Sequence, residues 1–310
     1  MKRPKPGLRP QHLEAVLTAG RVCNATVKGA KLGSRELWFY PSEIAGGEIK
    51  AEIGTAGSIP MLLITVLPIC AFAKRPIDLH VTRGGTDVTH SPTINYMMHV
   101  FFPLLARMGL KVSMKVHRYG YFPKGMGEVS VHVTPNQKLS PICLEEFGLL
   151  DSIRGKSVCT YLSHRKVAER QAKSAIEHLS LIEKNVDIKV INDSSNPFQK
   201  GSSLTLWAKT DKDVLLGADS IGEVRKSSEV VGREAANRLL VEIQSKATMD
   251  IHLGDLLIPY MALAEDESIF LVRSMSEHLE TNIWLIQENL DAHFNIKRVD
   301  KLFKVSKKNS

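Results

Sequence analysis

Two of the eleven histidines in this 310-residue chain stand where an imidazole could do chemistry. His278 lies in the polar segment 273–282, directly after the apolar run 268–272. At the mouth of a strand an imidazole can act as a nucleophile at neutral pH, provided an acceptor holds its other ring nitrogen. A solvated surface histidine would leave the same local pattern. His252 precedes Asp255 at the i, i+3 spacing that puts two side chains on one helix face, which suits a working pair and a polar helix cap equally. Two glycine turns, 54–58 (GTAGS) and 83–87 (RGGTD), stand ahead of helical runs, where free backbone N–H groups favour anions. Neither carries the ending of a P-loop or the spacing of a dinucleotide fold, so the simplest reading of each is a structural turn. The loop that starts at Arg118, RYGYFPKGMG, combines a cation, aromatics, a proline and spaced glycines. It can approach a sugar-phosphate backbone closely or simply connect a hairpin.

The elements that must position these groups follow from periodicity. Pro10 suits a first helical turn, with Leu13, Val16, Leu17 and Gly20 on one face. Alternation predicts strands at 36–40, 48–53, 78–82, 111–117 and 129–134, and the apolar stretch 58–73 predicts a buried helix. Ser91-Pro92 reads as a cap and first-turn proline of a further helix, kinked by Pro103. Beyond 154 come strands at 157–162, 186–191 and 203–209 and amphipathic helices at 166–182 and 228–244. The recurring order of helix, strand, strand, glycine turn and helix predicts an α+β fold built from an internally repeated layer, with a smaller inserted β-α domain. The segment 297–310 reads as a basic tail with a disordered end.

Composition narrows the classes. With 43% hydrophobic and 24% charged residues the chain can bury a sizeable core. Its longest apolar stretch is interrupted by Pro60 and Pro68 and is too short to span a membrane; no signal peptide is evident, and the default address is the cytoplasm. Cys23, Cys70, Cys143 and Cys159 are scattered without a C-x-x-C pair, so they read as packing residues. A net charge of +8 attracts polyanions.

Read together, the segments RPKPGLRPQHL (3–13), GTAGS (54–58), GGTD (84–87), GYFPKG (120–125), GAD (217–219), LIPYMALA (257–264) and HLETN (278–282) resemble, in order, the RNA 3'-terminal phosphate cyclases. The resemblance covers almost the whole chain. It implies repeated four-stranded-sheet and two-helix units in a large domain, 1–153 and 247–300, an insert at 154–246, and a basic tail at 301–310. It further implies that His278 takes AMP from ATP, with a divalent metal ion (Mg or Mn), and passes it to an RNA 3'-phosphate, which then closes to a 2',3'-cyclic phosphate. By position, Pro92, His252, Leu253, Gly254 and Asp255 would surround the nucleotide, and Arg3, Gln11 and Arg118 would hold RNA phosphate. Tyr119, Tyr121 and Phe122 are candidates for stacking on a terminal base.

The chain also departs from the family pattern. It begins near the RPKPGL segment, without the strand and helix that precede it in the family. Ile64 and Leu256 stand where the family has glutamines in the nucleotide pocket, and Met126 interrupts a glycine run. These departures keep open an inactive cyclase-like protein that binds RNA or a ribosome-assembly partner. An enolpyruvyl transferase would share the fold but not the His278 or Arg3 segments.

Overall fold

A computed structural model describes residues 6–183 and 185–308. The chain forms two compact units: Met1–Ile94 with Leu110–Gln137 and Asp193–Gly201, and Asn95–Gly109 with Lys138–Asn192 and Ser202–Ser310.

In the first unit α1 (Pro10–Val22) starts on Pro10 and leads to the antiparallel pair β1 (Thr26–Lys28) and β2 (Trp38–Tyr40). Next come β3 (Gly47–Glu52), α2 (Ile59–Cys70) and β4 (Ile77–Gly84), then β5 (Lys111–Arg118) and β6 (Gly127–Thr134). The sheet order is β3-β4-β6-β5, with β3 parallel to β4 and the other pairs antiparallel. Strict alternation drives this: Ile77, Leu79, Val81, Val129, Val131 and Val133 are buried while the residues between them face outward. α2 is apolar nearly all round and correspondingly buried, with Leu62, Leu63, Val66, Leu67 and Cys70 fully enclosed.

The second unit opens with α3 (Ile94–Tyr96), a π turn (Met97–Phe101) and α4 (Phe102–Arg107). Pro103 lacks the N–H that would bond the carbonyl of residue 99, and the wider turn just before it absorbs the loss. The helix does not start at Ser91-Pro92 as the sequence pattern predicts. It starts at Ile94, whose N–H donates to Asp87 Oδ1 at 3.0 Å. Then follow β7 (Leu150–Thr160), α5 (Val167–Leu179), β8 (Val186–Asp193), β9 (Gly201–Thr210), β10 (Leu215–Ile221) and α6 (Ser228–Ser245), in the sheet order β10-β9-β7-β8. Arg154, the expected edge of the insert, lies inside β7. Finally α7 (Ile251–Leu263), β11 (Ser268–Val272), α8 (Glu277–Asn289), β12 (His293–Val299) and β13 (Leu302–Lys308) form a three-stranded sheet ordered β11-β13-β12.

The segment around Cys143 runs parallel to β11 through a bridge to Ile269. Added to β11-β13-β12, it reproduces the parallel, antiparallel, antiparallel order of β3-β4-β6-β5. α1 with β1 and β2 repeats the second half of the same pattern. Repetition of the α+β layer is therefore a property of the backbone.

The basic tail is a correction. Residues to Lys308 are ordered strand; Asn309 and Ser310 lie outside the described residues. Lys307 is buried in the central strand and donates from Nζ to the Ala264 carbonyl at 2.8 Å, a local partner that composition cannot reveal. Cys143 is exposed, unlike the other three cysteines, and all four are free.

Candidate active site

The second unit gathers the histidines and the carboxylate. α7 is capped by Asp250, whose Oδ1 accepts from the N–H groups of His252 at 3.1 Å and Leu253 at 3.0 Å. The same carboxylate accepts the Tyr96 hydroxyl at 2.7 Å and the Gly217 N–H at 2.8 Å. Burial pushes Asp250 above the usual carboxylate range and Tyr96 well above that of a phenol. Gly217 is obligatory here, because a Cβ would sit 2.5 Å from the Tyr96 ring.

One turn along α7, the buried Asp255 accepts the Ser276 hydroxyl at 2.5 Å, and its backbone carbonyl accepts Asn282 Nδ2 at 2.8 Å. Ser276 is also the N-cap of α8, accepting from the Leu279 N–H at 2.9 Å. Asn282 of the HLETN segment and the cap Ser276 thus staple the start of α8 to α7. His278, in the first turn of α8, and His252, in the first turn of α7, are both exposed. Burial raises the Asp255 pKa, opposed first by the Ser276 hydrogen bond and then by His252 and His278. Leu253 is fully buried, and Gly254 lets α7 approach β11, where a Cβ would lie 3.2 Å from Val272 Cγ1. Leu256 is half-buried.

The first unit holds the rest. Gln11 Oε1 accepts the Ser58 N–H at 2.7 Å, and the Ser58 hydroxyl, which caps α2, meets the Ser91 hydroxyl beside Pro92 at 2.5 Å. The glycine turns interlock: a Cβ on Gly120 would lie 2.3 Å from the Gly84 carbonyl oxygen, and one on Gly125 would lie 2.8 Å from the Thr55 carbonyl oxygen. Glycine there serves backbone-to-backbone packing. Met126 sits at φ +63°, a left-handed conformation that favours glycine. Asn196, fully buried, clasps the loop by donating to the carbonyls of Tyr119 at 2.7 Å and Gly125 at 3.0 Å. Arg118 lies 3.5 Å from Glu128.

With this geometry in hand, comparison with known proteins is direct: the family model described as RNA 3'-terminal phosphate cyclase matches residues 1–296. The chain belongs to that family. Among its relatives, the RNA 3'-terminal phosphate cyclase of Pyrococcus furiosus is 40% identical over 295 residues, covering 95% of this chain and 84% of the relative. Those of Methanosarcina barkeri (41% over 307 residues; 98% and 88%) and Methanopyrus kandleri (39% over 299 residues; 95% and 84%) carry the same description.

In this cyclase-family chain, the predicted set is distributed as follows. His252, Leu253, Gly254, Asp255 and His278 come together on α7 and α8, while Gln11 and Pro92 share the Ser58–Ser91 contact and Arg118 stands on β5. Arg3 lies outside the described residues. Tyr121 is only 3% exposed and packs its ring on Gly201, so it offers no face to a base; Phe122, 76% exposed, does. Sequence reasoning missed Asp250, Ser276 and Tyr96. For the first two a signal exists, since each is an Asp or Ser just ahead of a helical run; Tyr96 is distant in sequence and gave none. Among the described residues no three His, Cys, Asp or Glu side chains converge as metal ligands.

Proposed function

We propose that this protein is an ATP-dependent RNA 3'-terminal phosphate cyclase acting in the cytoplasm, with 154–246 as an insert in its core. Family membership supports the reaction, and one observation supports the site: the Ser276 bridge to Asp255 fixes the first turn of α8, and with it His278, against α7.

In this reading His278 is the nucleophile. A ring nitrogen attacks the α-phosphorus of ATP, the bond to pyrophosphate breaks, and AMP remains on the imidazole. An oxygen of the RNA 3'-phosphate then displaces the histidine and takes the AMP. Attack of the neighbouring 2'-hydroxyl on the RNA phosphorus expels AMP, releases a proton and closes the 2',3'-cyclic phosphate. The histidine step divides one difficult displacement into easier ones. Asp255 and Asn282 hold α8 in register. The positive end of α8 favours a phosphate beside His278, although Glu277 and Glu280 in that turn oppose it. On the second unit His252 and Asp255 are assigned to the nucleotide, with the buried Leu253 and Gly254 shaping the helix that carries them; on the first unit Pro92 keeps its nucleotide assignment, and Gln11 and Arg118, with Arg3, keep theirs to RNA phosphate; Gln11 has its amide nitrogen for this, since its oxygen is engaged by Ser58. A divalent ion, Mg or Mn, would neutralise the triphosphate charge during the first step.

Incubation with α-labelled ATP followed by denaturing electrophoresis tests the assignment. Wild type should retain acid-labile label and His278→Asn should retain none; label on the variant equal to wild type refutes the role of His278.

A further inference from the structure

The sheet β10-β9-β7-β8 has two unlike faces. Ser157 bonds the Ala168 carbonyl and Gln171 of α5, and Gly155 packs against Leu206 and Ile188, so these positions face the helices. By the two-residue period of strands, Arg154 and Lys156 of β7, Lys189 of β8 and Trp207 of β9 face the other way.

Part of that second face is covered by the π turn. Tyr96 and Val100 fit against Gly217, and His99 stacks on Trp207 with ring centroids 4.4 Å apart and planes 7° from parallel. Beyond this stack Arg154 and Lys189 are exposed and Lys156 is half-buried. Burial and the charge of Lys189 lower the Lys156 pKa, and no carboxylate relieves it. Burial and Lys156 together push His99 down to about 4, so its ring is neutral at pH 7. Asp187 is the acid that shares this end of the face by strand period, and Lys209 is already 3.5 Å from Asp213. Three cations without an ion pair among the described residues, set against an aromatic wall, suit a chain of phosphates and repel a cationic partner.

We infer that this face binds the single-stranded RNA substrate upstream of its reactive end, through the phosphates, with Arg154, Lys156 and Lys189 as the contacts. The inference rests on the cyclase reading for its ligand. It adds a second binding surface, one that a short substrate does not reach.

The test compares Lys156→Ala/Lys189→Ala with wild type on 3'-phosphorylated oligouridylates of about 4 and about 15 nucleotides, lengths that bracket common single-strand site sizes. Each neutralised phosphate contributes about −0.7 to the logarithmic salt slope on single strands, so the slope for the long oligomer should fall by about 1.4, with about 25-fold weaker binding near 0.1 M salt. The short oligomer should bind and cyclise as in wild type, and Lys156→Arg/Lys189→Arg should restore the long one. Equal loss on both lengths, or no change in salt slope, overturns the inference. A wild type that cyclises neither oligomer refutes the cyclase reading instead, while its length-dependent binding still reports on this face.

Discussion

Asp250→Ala removes the residue on which the second unit's site depends most, although Asp250 itself is not expected to touch substrate. Its carboxylate caps α7 through two N–H groups and receives two buried donors, the Tyr96 hydroxyl and the Gly217 N–H. Loss of a cap costs about 0.5–2 kcal/mol. Each buried donor left without an acceptor costs about 1–3 kcal/mol more. Against this stands the penalty of burying the charge, visible in the raised Asp250 pKa, which the variant no longer bears. The expected net cost is roughly 2–6 kcal/mol. At about 2–4 °C per kcal/mol for a domain of 150–250 residues, the thermal midpoint should fall by at least about 4 °C. Asp250→Asn should cost less, because its oxygen can still cap α7, but its amide must point a donor at the Gly217 N–H. Thermal melts of the three proteins check this. A loss under about 1 kcal/mol for the alanine variant, or an asparagine variant as damaged as alanine, would refute the account of Asp250 as a four-bond hub.

Two further outcomes follow from the same residues. Under the proposed nucleotide assignment, amides introduced by Ile64→Gln and Leu256→Gln should tighten ATP, at about 0.5–1.5 kcal/mol per hydrogen bond gained, and calorimetry showing equal or weaker binding would count against those positions as nucleotide contacts. Burial raises the pKa of Asp250, Asp255 and Glu242, so the folded state binds more protons than the unfolded one above the ordinary carboxylate range. The stability contributed by these protons is fully present below a pH of about 4 and is lost as pH rises through the raised values. Glu229 acts with the opposite sign: its hydrogen bond to Arg170 holds it at about 2, so its contribution is lost only as pH falls towards that value. Thermal midpoints measured from about pH 4 to neutrality should therefore decline less in Glu242→Gln than in wild type, and identical slopes would remove Glu242 from the set.

How much of this was legible in the sequence depends on how far each decisive interaction reaches along the chain. Alternation announced β4, β5 and β6 because β4 and β6 bury one face and β5 half-buries one, and continuous apolarity announced α2 because most of its surface is covered. The start of α3 was misplaced because the group that anchors Ile94 is the side chain of Asp87, seven residues back, rather than the nearby Ser91-Pro92 pair. The C-terminal strand was misread for a related reason. Lys304, Lys307 and Lys308 make it look like a solvated tail, yet pairing with both β11 and β12 satisfies its backbone and a carbonyl of residue 264 receives the buried Lys307.

The site follows the same rule. His278 and Asp255 could be found because each sits in a short ordered motif, and Ser276 could have been found as a cap. What makes them one site is the contact between α7 and α8, and what holds α7 is a carboxylate that joins Tyr96, Gly217 and its own helix, partners separated by up to 154 positions. Side-chain chemistry was therefore readable one segment at a time. Its support was not, because a buried Asp that accepts four hydrogen bonds and an exposed Asp at a helix start have the same local sequence, and only the fold distinguishes them.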